Sequence, residues 1–527
     1  MGAVGLTLAL ATWGTAADRV RTDAGLVEGF ADLGTSVRVF RGIPFAAPPV
    51  GERRWRPPQP VAPWPGVRKA AEFGSRCMQG RIFDDMVFRD EPGENCFYLN
   101  VWTPATSASD RLPVMVWIHG GAFQAGSTFE PRQDGGRLAK NGVVVVGLNY
   151  RLGVFGFLAH PALTKESDRR ASGNYGLMDQ VAALEWVKKN IGAFGGDPGN
   201  VTIFGESAGS FAVSGLMASP LARGLFHRAI GESGALFRTG DQALAPLSFA
   251  KSEEQGVTFA AAMGVDSLAG LRSKAAEEVL QAALKVQPWF SVNIDGYVLP
   301  NTARAIYAAG EQSPVPLLAG WNADEVRGGV VLHKDKPTAT SFIAETRKRF
   351  GERADALLKV YPAASDEQAL DSAAALAGDL FIGYSTWKWI EMHLRTGRSP
   401  VYRYSFDRKI PVAPGTTVDG VPATAEDIGA RHAGEIEYVF GTLDAVPDVV
   451  WPPQDHRLSD LMMSYWSRFA RSGDPNGAGL PDWPRYGEGG GFPVMHLDVT
   501  SRAAPDPLRR RYEVLDTILS ESHPTGR

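Results

Sequence analysis

Gly205-Glu206-Ser207-Ala208-Gly209 is the stretch of this chain with the clearest chemical potential. Val201-Thr202-Ile203-Phe204 precedes it and suits a buried strand. A G-x-S-x-G pattern after a strand predicts a sharp strand-to-helix turn with the serine at its apex. A serine held there needs small neighbours, and it offers its hydroxyl to a base on one side and a substrate on the other. The N-terminus of the following helix favours developing negative charge. The chemistry is acyl transfer through a serine nucleophile.

A serine hydroxyl is a poor nucleophile without a base and an acid to orient that base. On sheets of this kind the order along the chain is Ser, then Asp or Glu, then His. Leu317 to Glu325 reads as a strand ending in two acids, Asp324 and Glu325, and both qualify on chemistry. Of the later histidines, His333 is too close and lies among lysines. His393 falls in a helical stretch, and His523 is in the tail. His432 sits in Gly429-Ala430-Arg431-His432-Ala433-Gly434, where small flanks let an imidazole reach the sheet edge. His119-Gly120-Gly121-Ala122-Phe123 follows the apolar strand ending at Ile118. N–H groups of that loop, with that of Ala208, are candidate oxyanion donors. Gly231-Glu232-Ser233-Gly234-Ala235 repeats the opening of the serine motif but has Ala235 at the second glycine position. Ser233 is therefore expected to be a buried hydroxyl beside the site, positioned to bond the acid that orients the base.

Strands must carry these residues. Phe97–Trp102, Leu112–Ile118 and Val143–Leu148 read as strands, the second almost wholly apolar, as a parallel strand covered on both faces should be. Asp179–Phe194 has helical periodicity, with Val181, Leu184, Val187 and Ile191 on one face. Strands at 201–204, 229–230, 316–320 and 401–406 follow. Strands alternating with helices predict an α/β fold with a mostly parallel sheet. Residues 240–300 and 335–400 are rich in Ala, Leu and charge at helical spacing, and read as cap insertions over one end of the sheet. Leu26–Phe45 reads as short strands, and the prolines at 48–65 predict an irregular cover. With no internal repeat or low-complexity linker, residues 18–527 read as one capped domain despite the length of 527 residues.

A net charge of −4, with no block of like charge, argues against nucleic acid or an anionic membrane as partner. Residues 1–17 resemble a secretory signal peptide. An apolar run from Ala3 to Gly14 leads to Thr15-Ala16-Ala17, but only Met1 and Gly2 stand where a basic segment is usual. No other apolar run is long enough to span a membrane. Cys77 and Cys96 are the only cysteines. Their spacing suits one disulfide in an oxidising compartment, and no histidine lies in this region to complete a zinc site. The expected location is secreted or periplasmic.

Several stretches together resemble the type-B carboxylesterase family, which includes cholinesterases and bacterial p-nitrobenzyl esterases. They are Phe40–Ala46 with Pro48–Gly51, Glu94–Val101, His119–Phe123, Asn149–Gly153, Gly205–Gly209 and Gly473–Gly477. The resemblance implies an α/β-hydrolase fold and hydrolysis of a small-molecule carboxylic ester without a cofactor. It implies Glu325 rather than Asp324 as the acid, His432 as the base, and Gly121, Ala122 and Ala208 as oxyanion donors. It also implies a Cys77–Cys96 disulfide and ion pairs Arg54–Glu94 and Arg151–Asp179. Trp289 and Phe290 are candidates for the substrate pocket or for the core of the cap. Glu206 is an acid beside the nucleophile, able to stabilise positive charge.

The chain departs from the family at Glu94-Asn95, usually Glu-Asp, and at Val326, usually glycine. Residues 78–95 contain no tryptophan, so the cation–π anchor of a cholinesterase is missing. The family also holds non-catalytic adhesion members similar to neuroligins, which have lost triad residues. Here all three positions are filled. A specialised esterase for a bulky natural-product ester is the other alternative.

Overall fold

Alternation along the apolar strand Leu112–Ile118 sets the architecture. Val114, Val116 and Ile118 enter one apolar cluster, and Met115 and Trp117 enter another. A strand buried on both faces needs a layer of helices on each side, and the computed structural model has that arrangement. It describes residues 18–83, 86–88, 91–238, 244–286, 290–326, 338–418, 420–446 and 448–521. The proposed leader, Trp289, His333 and His523 lie outside these residues.

Twelve strands follow one another across the main sheet. They are β1 (Asp18–Arg21), β2 (Leu26–Ala31), β3 (Arg38–Pro44), β4 (Tyr98–Thr103), β5 (Leu112–Ile118) and β6 (Val144–Leu148). The set continues with β7 (Gly196–Glu206), β8 (Arg228–Glu232), β9 (Leu317–Asn322), β10 (Val401–Phe406), β11 (Pro493–Leu497) and β12 (Arg502–Pro505). Their spatial order is β1-β2-β3-β4-β6-β5-β7-β8-β9-β10-β11-β12. From β6 to β11 every neighbouring pair is parallel. Along this order the strands on either edge pair antiparallel, and a short strand off it, Val67–Lys69, pairs parallel with β2. This is the mostly parallel α/β sheet expected from the strand–helix alternation, in the α/β-hydrolase arrangement that the resemblance implies.

Helix α1 (Tyr175–Asn190) and helix α2 (Ala208–Ala218) cover one face. Helix α1 starts four residues before the expected Asp179, and its last expected residues form a 3₁₀ turn, Ile191–Phe194. The other face is covered by helix α3 (Pro453–Ser472), through Leu458, Met462, Tyr465, Trp466 and Phe469. Within the two proposed cap insertions, helices run over Phe249–Ala262, Leu268–Ser273 and Ala276–Val286, and over Ala339–Phe350, Asp366–Gly378 and Tyr384–Thr396.

The cover 45–66 is irregular apart from one short turn, Gly51–Arg53. It is fastened by ion pairs. Arg54 Nε and Nη2 each donate to Glu94 at 2.6 Å. Arg151 holds Asp179 by Nε at 2.9 Å and Nη2 at 2.7 Å, and its Nη2 also donates to the Arg56 carbonyl of the cover at 2.9 Å. Both pairs are the ones expected, and both forks are bidentate. Cys77 and Cys96 form a disulfide.

Candidate active site

Ser207 stands between β7 and α2 with φ 53° and ψ −120°, a strained backbone for a residue with a side chain. The flanking glycines explain how the turn closes. A Cβ on Gly209 would lie 2.0 Å from the Ile118 carbonyl oxygen, and one on Gly205 2.6 Å from the same atom. The turn is packed so tightly against the end of β5 that neither position has room for a side chain. The Ser207 N–H donates to the Glu232 carbonyl at 2.8 Å, which ties the turn to the end of β8.

The serine hydroxyl lies 3.0 Å from His432 Nε2, and His432 Nδ1 lies 2.5 Å from Glu325 Oε2. The other Glu325 oxygen accepts the Asn322 N–H at 2.8 Å. The neighbouring acid has another role. Asp324 accepts the Ala430 N–H at 2.8 Å and pairs with the backbone that leads into His432. Asp324 thus fastens the histidine loop, while Glu325 faces the imidazole. Hydroxyl, imidazole and carboxylate in series can pass the hydroxyl proton to the ring and balance the resulting charge.

A second carboxylate flanks the other imidazole nitrogen, the one that faces Ser207. Glu206 Oε1 is 3.3 Å from His432 Nε2. Burial pushes the Glu206 carboxyl up to about 8. Burial works against the imidazolium of His432, but Glu206 and Glu325 outweigh it and raise the ring to about 9. The two groups face each other, so their titrations form a single coupled system.

Behind them lie Glu435, fully buried and raised to about 7 by burial, and Glu232, pushed well up for the same reason. Asn322 Nδ2 donates to Glu435 at 2.6 Å and to the Arg431 carbonyl at 2.7 Å. Ser233 Oγ donates to Glu435 at 3.4 Å, not to Glu325 as its expected support role required. Neither Glu435 nor Asn322 stands out in the sequence. The available signal was a glutamate next to the apolar stretch Ile436–Phe440, three residues after His432.

The loop after β5 approaches from the other side. A Cβ on Gly120 would lie 2.8 Å from Glu206 Oε2 and 3.2 Å from Ser207 Cβ. Gly121, Ala122 and Phe123 have φ of 101°, 56° and 59°. The Gly121 carbonyl accepts from Gln124 and Ala125. No described hydrogen bond uses the N–H of Gly121 or Ala122. Ala208 is the first residue of α2, where a helix leaves its N–H without an intrahelical acceptor. These three donors belong to the two turns that meet at Ser207.

His119 is buried beneath the loop. Burial holds its pKa down at about 4, and it stacks on Tyr150 with ring centroids 4.5 Å apart. It is a neutral structural ring. Phe381, which the sequence reading missed, packs edge-on against His432 at 5.1 Å. Phe290 packs against Phe259 at 5.6 Å and borders an apolar cavity of about 280 Å³ with Gln124, Leu152 and Leu280. Among the described residues no group of His, Cys, Asp and Glu could hold a metal ion.

A family model described as the carboxylesterase family matches residues 16–513. Among curated proteins, the fumonisin B1 esterase of Sphingopyxis macrogoltabida is 38% identical over 485 residues, covering 88% of this chain and 84% of that protein. The liver carboxylesterase of Sus scrofa is 36% identical over 539 residues, covering 93% of this chain and 90% of that protein. Among solved structures, a PNB esterase superposes with a TM-score of 0.79 at 33% identity, covering 95% of this chain and 99% of that one. The carboxylesterase of Geobacillus stearothermophilus gives a TM-score of 0.79 at 34% identity, covering 94% and 99%.

Proposed function

The chain belongs to the carboxylesterase family and is a carboxylic-ester hydrolase, and on that premise we propose which residues carry the reaction. Ser207 Oγ attacks the ester carbonyl while His432 Nε2 takes its proton. Glu325 holds the Nδ1–H and balances the imidazolium. The N–H groups of Gly121, Ala122 and Ala208 receive the oxyanion. Collapse of the tetrahedral intermediate returns the proton from His432 to the departing alkoxide and leaves an acyl-Ser207. Water, deprotonated by His432, attacks that acyl group, and the second tetrahedral intermediate collapses by breaking the acyl carbon–Oγ bond as His432 returns the proton to Ser207 Oγ, which releases the acid.

The observation that supports this reading is the unbroken hydrogen-bonded series Ser207–His432–Glu325 at 3.0 and 2.5 Å. A fluorophosphonate probe should label Ser207 and leave a Ser207→Ala variant unlabelled. An unlabelled wild-type protein would favour a non-catalytic binding role at this site.

Within the same reading, residues 18–527 form one catalytic domain. The insertions at 240–300 and 335–400 cap its substrate entrance, and the protein is exported by its first 17 residues. The disulfide supports the export proposal, because such bonds persist in oxidising compartments. Trp289 and Phe290 are proposed to border the substrate, and Glu206 to stabilise positive charge beside Ser207.

The relative named fumonisin B1 esterase favours a second substrate reading, a bulky natural-product ester. Comparison of kcat/KM for p-nitrophenyl acetate through palmitate with that for fumonisin B1 separates the two. A clear preference for the short esters would reject the bulky substrate.

A further inference from the structure

The loop closed by Cys77–Cys96 reaches the oxyanion loop through one side chain. Gln79, two residues past Cys77, is 4% exposed. Its Oε1 accepts the Gly126 N–H at 2.9 Å, and its Nε2 donates to the Gly126 carbonyl at 2.9 Å. Nε2 also donates to the Cys77 carbonyl at 3.0 Å. A side-chain amide here does what a neighbouring strand would do, satisfying both backbone groups of one residue.

Gly126 is pressed onto the oxyanion loop. Its φ is 119°, and a Cβ there would lie 2.3 Å from His119 Nδ1 and 2.5 Å from the Gly120 carbonyl oxygen. Gly120 in turn backs onto Ser207. Between Gly120 and Gly126 the chain passes through Gly121, Ala122 and Phe123, all at positive φ. Non-glycine residues stay in that region only where their surroundings over-determine them. Gln79 supplies such a constraint from outside the loop.

We propose that Gln79 is a positioning residue for the oxyanion hole, and that through it the Cys77–Cys96 disulfide fixes the aim of the Gly121 and Ala122 N–H groups. This rests on the proposed role of Ser207. Removing a single oxyanion donor costs about 10²- to 10³-fold in kcat, so misaiming two donors should cost part of that.

Gln79→Ala is expected to lower kcat for a p-nitrophenyl ester by roughly 10- to 100-fold with KM little changed. It should weaken an alkyl trifluoromethyl ketone by a similar factor. That inhibitor adds Ser207 Oγ to its carbonyl carbon, passes the proton to His432 and places its oxyanion on the same N–H groups. Gln79→Met, which keeps the volume but neither hydrogen bond to Gly126, should behave alike and serves if the alanine variant does not fold. Combined with Cys77→Ser and Cys96→Ser, Gln79→Ala should add less than its separate effect on kcat, because both changes cut one tether.

Unchanged kcat in folded Gln79 variants would overturn the proposal. So would a loss confined to KM, a kcat loss without weaker ketone binding, or full additivity with the cysteine changes. Those results with an inert Ser207→Ala leave the nucleophile assignment standing. An active Ser207→Ala would remove that assignment whatever Gln79 does.

Discussion

At the scale of single residues, the site is a histidine between two carboxylates with different tasks. Glu325 meets Nδ1, the nitrogen that keeps its proton in the proposed mechanism, and Glu206 flanks Nε2, the nitrogen that exchanges one in it. Glu325→Gln should lower kcat by about 10⁴-fold while the protein stays folded, because the imidazolium loses its counter-charge and the wrong tautomer is favoured. Asp324→Asn should have a much smaller effect; the reverse ranking would move the acid role to Asp324. Glu206 makes a prediction in pH. The base works only when neutral, so kcat/KM rises as pH rises through the His432 pKa, which the two acids raise. Glu206→Gln removes one anion that stabilises the imidazolium, so the acid limb of kcat/KM should shift to lower pH. An unmoved limb would mean that Glu206 carries no charge beside His432 in the free enzyme.

At the scale of elements, the serine turn exists because β5, β7 and α2 meet without side chains between them. Gly209→Ala would drive a Cβ into the Ile118 carbonyl, so destabilisation should reach or exceed the roughly 1–3 kcal/mol of ordinary overpacking, read as a lower urea midpoint. A variant as stable as the wild type would show that the turn can relax. This part of the site was legible early, because two glycines around a serine after an apolar strand encode the close approach directly. The choice between Asp324 and Glu325 was not, because two consecutive acids at a strand end differ only in the direction each side chain takes. Family resemblance pointed to Glu325; the backbone bond from Ala430 to Asp324 shows why Asp324 faces elsewhere. Strands β11 and β12 escaped notice because they are short and follow the glycine-rich Gly489-Gly490-Gly491. Glu435 escaped because burial of a carboxyl is set by what packs over it, here Asn322 and Ser233 from distant strand ends.

At the scale of the whole molecule, a parallel sheet brings the ends of β5, β7 and β9 together, while the loop closed by Cys77–Cys96 reaches the oxyanion loop through Gln79. The cysteines are 19 residues apart, so opening that loop with Cys77→Ser should cost about 3 kcal/mol of unfolding free energy, measured by urea denaturation. Mass spectrometry of protein recovered outside the cytoplasm should find Cys77 joined to Cys96; free thiols would count against export. In the proposed mechanism one hydroxyl, that of Ser207, carries the turnover. The most direct measurement is p-nitrophenyl acetate hydrolysis by wild type and by folded Ser207→Ala, with fluorophosphonate titration of both. Turnover is predicted to fall to a residual level in the variant, with one equivalent of label on the wild type and none on the variant. Hydrolysis by Ser207→Ala at a rate close to wild type would contradict the account.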